Sequence, residues 1–245
     1  MQTVRSSEEG RDGTLERARA AEVLKRLRKQ YPDFKCELNF SNSLELAVAA
    51  ILSAQCTDKR VNLVTPALFR RYRTAHDWAD TPQEILESEI RSTGFFRNKA
   101  THIRALMRRL TDDFNGILPD DFDTLITLPG IGRKTANLLI ATAFGRPGMI
   151  VDTHCRRVTQ RLGFTRENDP EKIEKDLRKL IPEADWTDWS HAMVFHGRYG
   201  CSARKPACGR CPLTEHCDFF SRLLEAPKLL RAKDRVALCR KNCRD

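Results

Sequence analysis

Four cysteines, Cys201, Cys208, Cys211 and Cys217, stand in the pattern Cys-x6-Cys-x2-Cys-x5-Cys. Thiolates crowded this closely along a chain suit zinc or an iron–sulfur cluster. A structural zinc site commonly pairs two Cys-x-x-Cys knuckles across a longer insert. Only one knuckle occurs here, so the spacing leans toward a cluster and leaves zinc open. Arg204, Lys205 and Arg210 belong to the same loop, either as a phosphate clamp or as solvated charge. A second segment with chemical content is residues 125–136, Leu-Ile-Thr-Leu-Pro-Gly-Ile-Gly-Arg-Lys-Thr-Ala. Pro129 ends one helix, Gly130 and Gly132 are expected at positive φ, and a second helix opens near Arg133. Such a turn points backbone N–H groups outward at a helix N-terminus, where glycines let a phosphate approach. A third is Val151-Asp152-Thr153-His154, which sets Asp152 as the N-cap of a helix over Thr153–Leu162.

The elements that carry these groups read as helix almost throughout. Leu15, Ala18, Ala21, Leu24 and Leu27 recur at helical spacing before Pro32. Asn42-Ser-Leu-Glu45 is a capping-box pattern ahead of an apolar stretch, Leu44 to Ala54, that predicts a helix buried on most sides. Thr81-Pro82-Gln83-Glu84 predicts a capped helix ending near Gly94. Another runs from about Asn98 to Leu110, with Ile103, Leu106, Met107 and Leu110 on one face. Asp169-Pro170-Glu171 opens a charged amphipathic helix that stops at Pro182. Few segments alternate with period two, so an all-α fold is expected. Residues 1–13 read as a flexible polar tail and residues 219–245 as a basic one. Cys239 and Cys243 in the latter read as incidental thiols on a solvated helix, or as part of a contact to a partner or to DNA.

Composition narrows the function classes. The chain of 245 residues is long enough for two small domains. Lys and Arg number 43 against 33 Asp and Glu, a balance that attracts polyanions such as nucleic acid or an anionic membrane. Nine cysteines, an odd number, without an export signal argue against a disulfide framework and for a cytoplasmic protein. No stretch is apolar enough to span a membrane, and no membrane partner is expected.

Taken together, Ser53-Ala-Gln-Cys-Thr-Asp58, Gly94 to Ala100 in part, Leu128-Pro-Gly-Ile-Gly-Arg-Lys-Thr-Ala-Asn137, Val151-Asp-Thr-His154, His196-Gly-Arg-Tyr199 and the cysteine loop resemble endonuclease III. These are the helix-hairpin-helix DNA glycosylases of base excision repair. The resemblance runs from about residue 15 to about residue 218. It implies an all-α protein of two helical domains with the DNA cleft between them. One is a six-helix barrel over residues 37–147, with the helix-hairpin-helix at about 123–144. The other joins residues 14–36 to 148–218 around one [4Fe-4S] cluster held by the four cysteines.

It further implies a monomeric DNA glycosylase and AP lyase that excises oxidised pyrimidines from double-stranded DNA and cuts at the abasic site. Lys134 falls at the family's nucleophile and Asp152 at its catalytic carboxylate. An amine can attack the sugar C1′, displace the base and form a Schiff base, provided that nearby positive charge or a helix N-terminus favours its neutral form. Gln55 falls at the intercalating position and Phe95 at the opposing wedge, where an aliphatic residue is usual; Phe96 is expected to pack. Leu128, Gly130, Ile131, Gly132, Arg133, Thr135, His154 and Lys205 are the remaining expected DNA contacts. Two other readings stand beside this one. An adenine-removing glycosylase of the same superfamily would lack Lys134 and carry a carboxylate within residues 46–54, where none occurs. A non-catalytic DNA-binding module would need neither Lys134 nor Asp152.

Overall fold

The computed structural model describes residues 13–229, so the segment with Cys239 and Cys243 and nearly all of the expected N-terminal tail lie outside the described residues. Twelve α-helices and no strand occur among the described residues. The chain divides into two compact units, Lys35–Ile150 and the residues up to Phe34 combined with those from Val151 onward.

The first unit holds α2 (Ser43–Leu52), α3 (Asp58–Arg71), α4 (Ala75–Asp80), α5 (Gln83–Ile90), α6 (Phe96–Phe114), α7 (Phe122–Leu125) and α8 (Arg133–Thr142). Every residue of α2 from Leu46 to Leu52 is buried, as its apolar run requires. Asn42 caps it by accepting from the Glu45 N–H at 2.9 Å, and the Glu45 carboxylate reaches back to the N–H of Ser41, one residue earlier than a strict capping box. Helix α6 turns Ile103, Leu106, Met107 and Leu110 inward with no exposed surface. Burying each such side chain stabilises the unit by about 1.5–3 kcal/mol.

Two local expectations are corrected. Thr81 does not cap α5, which begins behind Pro82 without a side-chain cap. Its hydroxyl donates instead to the Asp77 carbonyl and closes α4, while Thr74 and Asp77 form the true capping box there. Helix α5 also stops at Ile90, and a 3-10 turn over Arg91–Thr93 fills the space to Gly94.

The second unit combines α1 (Gly13–Gln30) with α9 (Thr153–Leu162), α10 (Pro170–Leu180), α11 (Trp186–Tyr199) and α12 (Asp218–Leu229). Helix α12 occupies the first part of the segment read as a tail. Phe164 packs edge-on to Trp189 at 5.3 Å, with the Arg19 guanidinium 4.0 Å over its ring. Gly197 brings α11 against α9: a Cβ there would lie 2.7 Å from the His154 Cβ.

Candidate functional site

The hairpin joins α7 to α8. Asp121 accepts from the N–H groups of Asp123 and Thr124 and starts α7. The Ile131 N–H then donates to the Leu128 carbonyl at 3.1 Å, with Pro129 and Gly130 between them and Gly130 at φ +76°. That is a turn with proline at its second position and glycine at its third, the one place here where positive φ is required. A Cβ on Gly130 would also sit 2.9 Å from the His102 Cβ.

Gly132 departs from expectation: at φ −89° and ψ 175° it is extended, and any residue could adopt that backbone. Its role is absence of bulk, since the space beyond its α-carbon is open and α8 starts there without a side-chain cap. At such a helix start the dipole favours an anion. Leu128 and Ile131 bury their side chains in the core, so any contact they make outward comes from the backbone. The Arg133 guanidinium lies 4.9 Å over the Phe122 ring, and Thr135 is half-buried. Lys134, at the second position of α8, is exposed and makes no ion pair among the described residues.

Two more candidate residues in this unit share an unusual backbone. Gln55 at φ 52° and Phe95 at φ 48° are two of the three non-glycine residues at positive φ among the described residues. Such a conformation costs about 1–3 kcal/mol and concentrates at functional positions. Both side chains are exposed, Phe95 by 61%. Phe96 packs on the core between the guanidinium groups of Arg91 and Arg97, at 6.0 and 5.1 Å from its ring centre.

Sequence reasoning missed Lys99, which lies 4% exposed on the same stripe of α6 as Ile103 and Leu106. Its Nζ donates to the carbonyls of Leu52 and Thr93 at 2.8 and 2.7 Å. Burial holds its pKa below the usual lysine value, and the charge of Cys56 opposes that shift. A lone lysine on an apolar helical stripe was the available signal.

In the second unit Asp152 caps α9, its Oδ1 accepting from the Cys155 N–H at 2.7 Å. Oδ2 takes no hydrogen bond among the described residues, so the half-buried carboxylate keeps a free oxygen. His154 lies two residues on, and its Nδ1 faces the Arg157 guanidinium at 3.1 Å. A guanidinium can only donate, so Nδ1 is the acceptor and the neutral ring carries its proton on Nε2.

The four cysteines line one cavity, partly open to solvent, with Val158, Leu162 and Phe220 among its walls. Cys201 Sγ accepts from Arg161 at 3.1 Å and Cys211 Sγ from the Leu213 N–H at 3.4 Å. Arg161 also holds the loop through the carbonyls of Ser202 and Ala203, both at 2.8 Å. Burial pushes the Cys211 thiol up to about 11, and the charges of Cys201, Cys217 and Cys208 add to it. Burial and neighbouring cysteines raise Cys208 and Cys217 as well. Four thiolates gathered in an apolar pocket need positive charge among them, which iron supplies. Lys205 and Arg204 are exposed on the same loop.

A helix-hairpin-helix scaffold carrying such a loop defines a class, and the chain matches the family model of the HhH-GPD superfamily base excision DNA repair proteins over residues 48–183. Residues 201–217 match the iron–sulfur binding domain of endonuclease III. Endonuclease III of Synechocystis sp. is 50% identical over 200 residues, covering 81% of this chain and 91% of that protein. Endonuclease III of Escherichia coli K12 is 40% identical over 205 residues, covering 84% and 97%. A solved structure of a trapped endonuclease III–DNA covalent intermediate superimposes with a TM-score of 0.81 at 46% identity, covering 85% of this chain and 98% of that one. The chain belongs to the endonuclease III family. It is a base excision repair enzyme, a DNA glycosylase and AP lyase, and its cofactor is a [4Fe-4S] cluster. No helix among the described residues is long and apolar enough to cross a membrane.

The protein should purify yellow-brown with about four irons per chain. Cys211→Ser should lose both iron and colour, because a hydroxyl is a poor iron ligand. Stoichiometric zinc in anaerobically purified protein would overturn this ligand assignment.

Proposed function

We propose that this enzyme excises oxidised pyrimidines from duplex DNA through an imine on Lys134 and cuts the strand 3′ to the abasic site. The observation that carries the reading is Lys134 itself: an exposed amine without an ion pair, one residue inside a helix that starts uncapped on glycine. The Lys134 nitrogen attacks C1′, and the base leaves with the glycosidic electron pair and takes up a proton. Ring opening gives an imine, which acidifies the C2′ proton. Loss of that proton expels the 3′ phosphate oxygen and breaks the strand. Asp152, with Oδ1 fixed by its cap, offers the charge of Oδ2 to the cationic sugar that develops as the base departs.

The base must leave the stack before this chemistry begins. Gln55 and Phe95 fill the gap, the amide pairing with the orphaned base and the ring wedging the opposite strand. The N–H groups at the start of α8 hold a phosphate, while His154 and Lys205 contact the backbone. The enzyme works as a monomer on chromosomal DNA in the cytoplasm.

Borohydride reduction tests the reading. Mixed with a duplex holding one thymine glycol, the protein should become covalently locked to DNA. A monofunctional glycosylase would release base without locking, and a docking module would do neither.

Binding to an abasic duplex should fall steeply between low and physiological salt, since phosphate contacts release counterions. Gly130→Val should weaken binding to all sequences alike, because a β-branched residue is strained at φ +76° and meets His102. Gly132→Val should weaken it too with a smaller loss of stability than Gly130→Val, since its backbone is extended and the space beyond its α-carbon is open, leaving only the poorer helix cap. Affinity that stays flat with salt would count against the hairpin as a phosphate site.

A further inference from the structure

Lys99 is not needed for any step described above, yet it is placed where the two gap-filling loops meet. Helix α2 ends at Leu52, three residues before Gln55. The 3-10 turn ends at Thr93, two residues before Phe95. One nitrogen atom, Lys99 Nζ, donates to the carbonyls of both Leu52 and Thr93. Each carbonyl belongs to the last residue of its helical element, ahead of a residue with positive φ. The Thr93 hydroxyl is bonded to the Ile90 carbonyl, so that side of the clasp is itself fixed.

We propose that Lys99 is a positioning residue that clasps the Gln55 loop to the Phe95 loop, so that both side chains enter the duplex together. The inference rests on the roles given above to Gln55 and Phe95. An ammonium suits the task because it is compact and can serve two acceptors at once from the end of a flexible stem. Its stem lies along the apolar face of α6, and Ala100 and Ile103 beside it have no exposed surface. A neutral apolar residue of the same length would preserve that packing and leave two buried carbonyls without a donor. Gln55 and Phe95 would then move independently. Misplacement of this kind, remote from the chemistry, lowers rates by up to about a hundredfold.

The test compares trapping rates on an abasic oligonucleotide as a duplex and as a single strand, which has no stack to open. Lys99→Met should slow trapping on the duplex about ten- to hundredfold while leaving the single-strand rate within about twofold. With 2-aminopurine opposite the abasic site, the fluorescence rise that reports insertion should be slowed in step. An unchanged duplex rate overturns the proposal, and so does an equal loss on both substrates, which marks a purely structural lysine. Should Lys99→Met fail to fold, Lys99→Gln, whose stem is one atom shorter and leaves at least one of the two carbonyls without its donor, is read by the same ratio. Absence of trapping by the wild-type protein on both substrates defeats the Lys134 reading itself, and with it this one.

Discussion

Lys134→Ala is expected to abolish the borohydride-trapped complex with a thymine glycol duplex while leaving affinity for that duplex nearly intact. The two effects separate because different atoms supply them. On the proposed reading, binding at the hairpin draws on the backbone at the start of α8 and the turn at Gly130, none of which the substitution touches. Alanine favours helix, and the exposed lysine contributes no ion pair among the described residues, so α8 should be unchanged or slightly firmer. The imine, by contrast, needs this one nitrogen. Trapping on a denaturing gel and affinity by anisotropy measure the two arms. Trapping that persists at the wild-type rate moves the nucleophile to another amine.

Asp152→Asn should slow base release about a hundred- to a thousandfold, the scale seen when one stabilising interaction with transition-state charge is removed. Its value lies in what it preserves. The asparagine carbonyl oxygen can still accept the Cys155 N–H and cap α9, so thermal stability should stay close to wild type. Asp152→Ala removes charge and cap together. It should show the same catalytic loss plus about 1 kcal/mol of stability, seen as a melting temperature lower by about 2–4 °C. Single-turnover base release and thermal melting of both variants distinguish the two functions of this residue. A fast Asp152→Asn enzyme would leave Asp152 with its capping role alone.

The parts that were readable from the sequence are those whose causes are local. Helix α9 begins at Thr153 and ends at Leu162, as expected, because Asp152 caps one end and Gly163 at φ +87° closes the other. Helix α10 starts on the expected Asp169-Pro170 pair for the same reason. The cysteine spacing named four residues that line one cavity, since seventeen consecutive positions cannot stray far. Local reading erred where one side chain had two suitors. Thr81 could serve the helix behind it or the one ahead, and only the packed chain awarded its hydroxyl to Asp77. Gly132 looked like a second left-handed glycine, but a single positive φ at Gly130 already completes the turn.

The sequence by itself determined the helical elements, the hairpin, the metal-binding loop and the membership of Lys134 and Asp152 in motifs that can do chemistry. Tertiary structure decided which of those side chains face outward: Lys134, Gln55 and Phe95 are exposed, while Leu128 and Ile131 of the same motifs are buried. It also decided the long-range bonds that hold the site, Lys99 to Leu52 across 47 residues and Arg161 to Cys201 across 40. The physical reason is range. Caps, turns and ligand spacing depend on neighbours along the chain. A buried donor's partner depends on which distant carbonyl or sulfur the packed core brings within 3 Å or so, and no local pattern encodes that meeting.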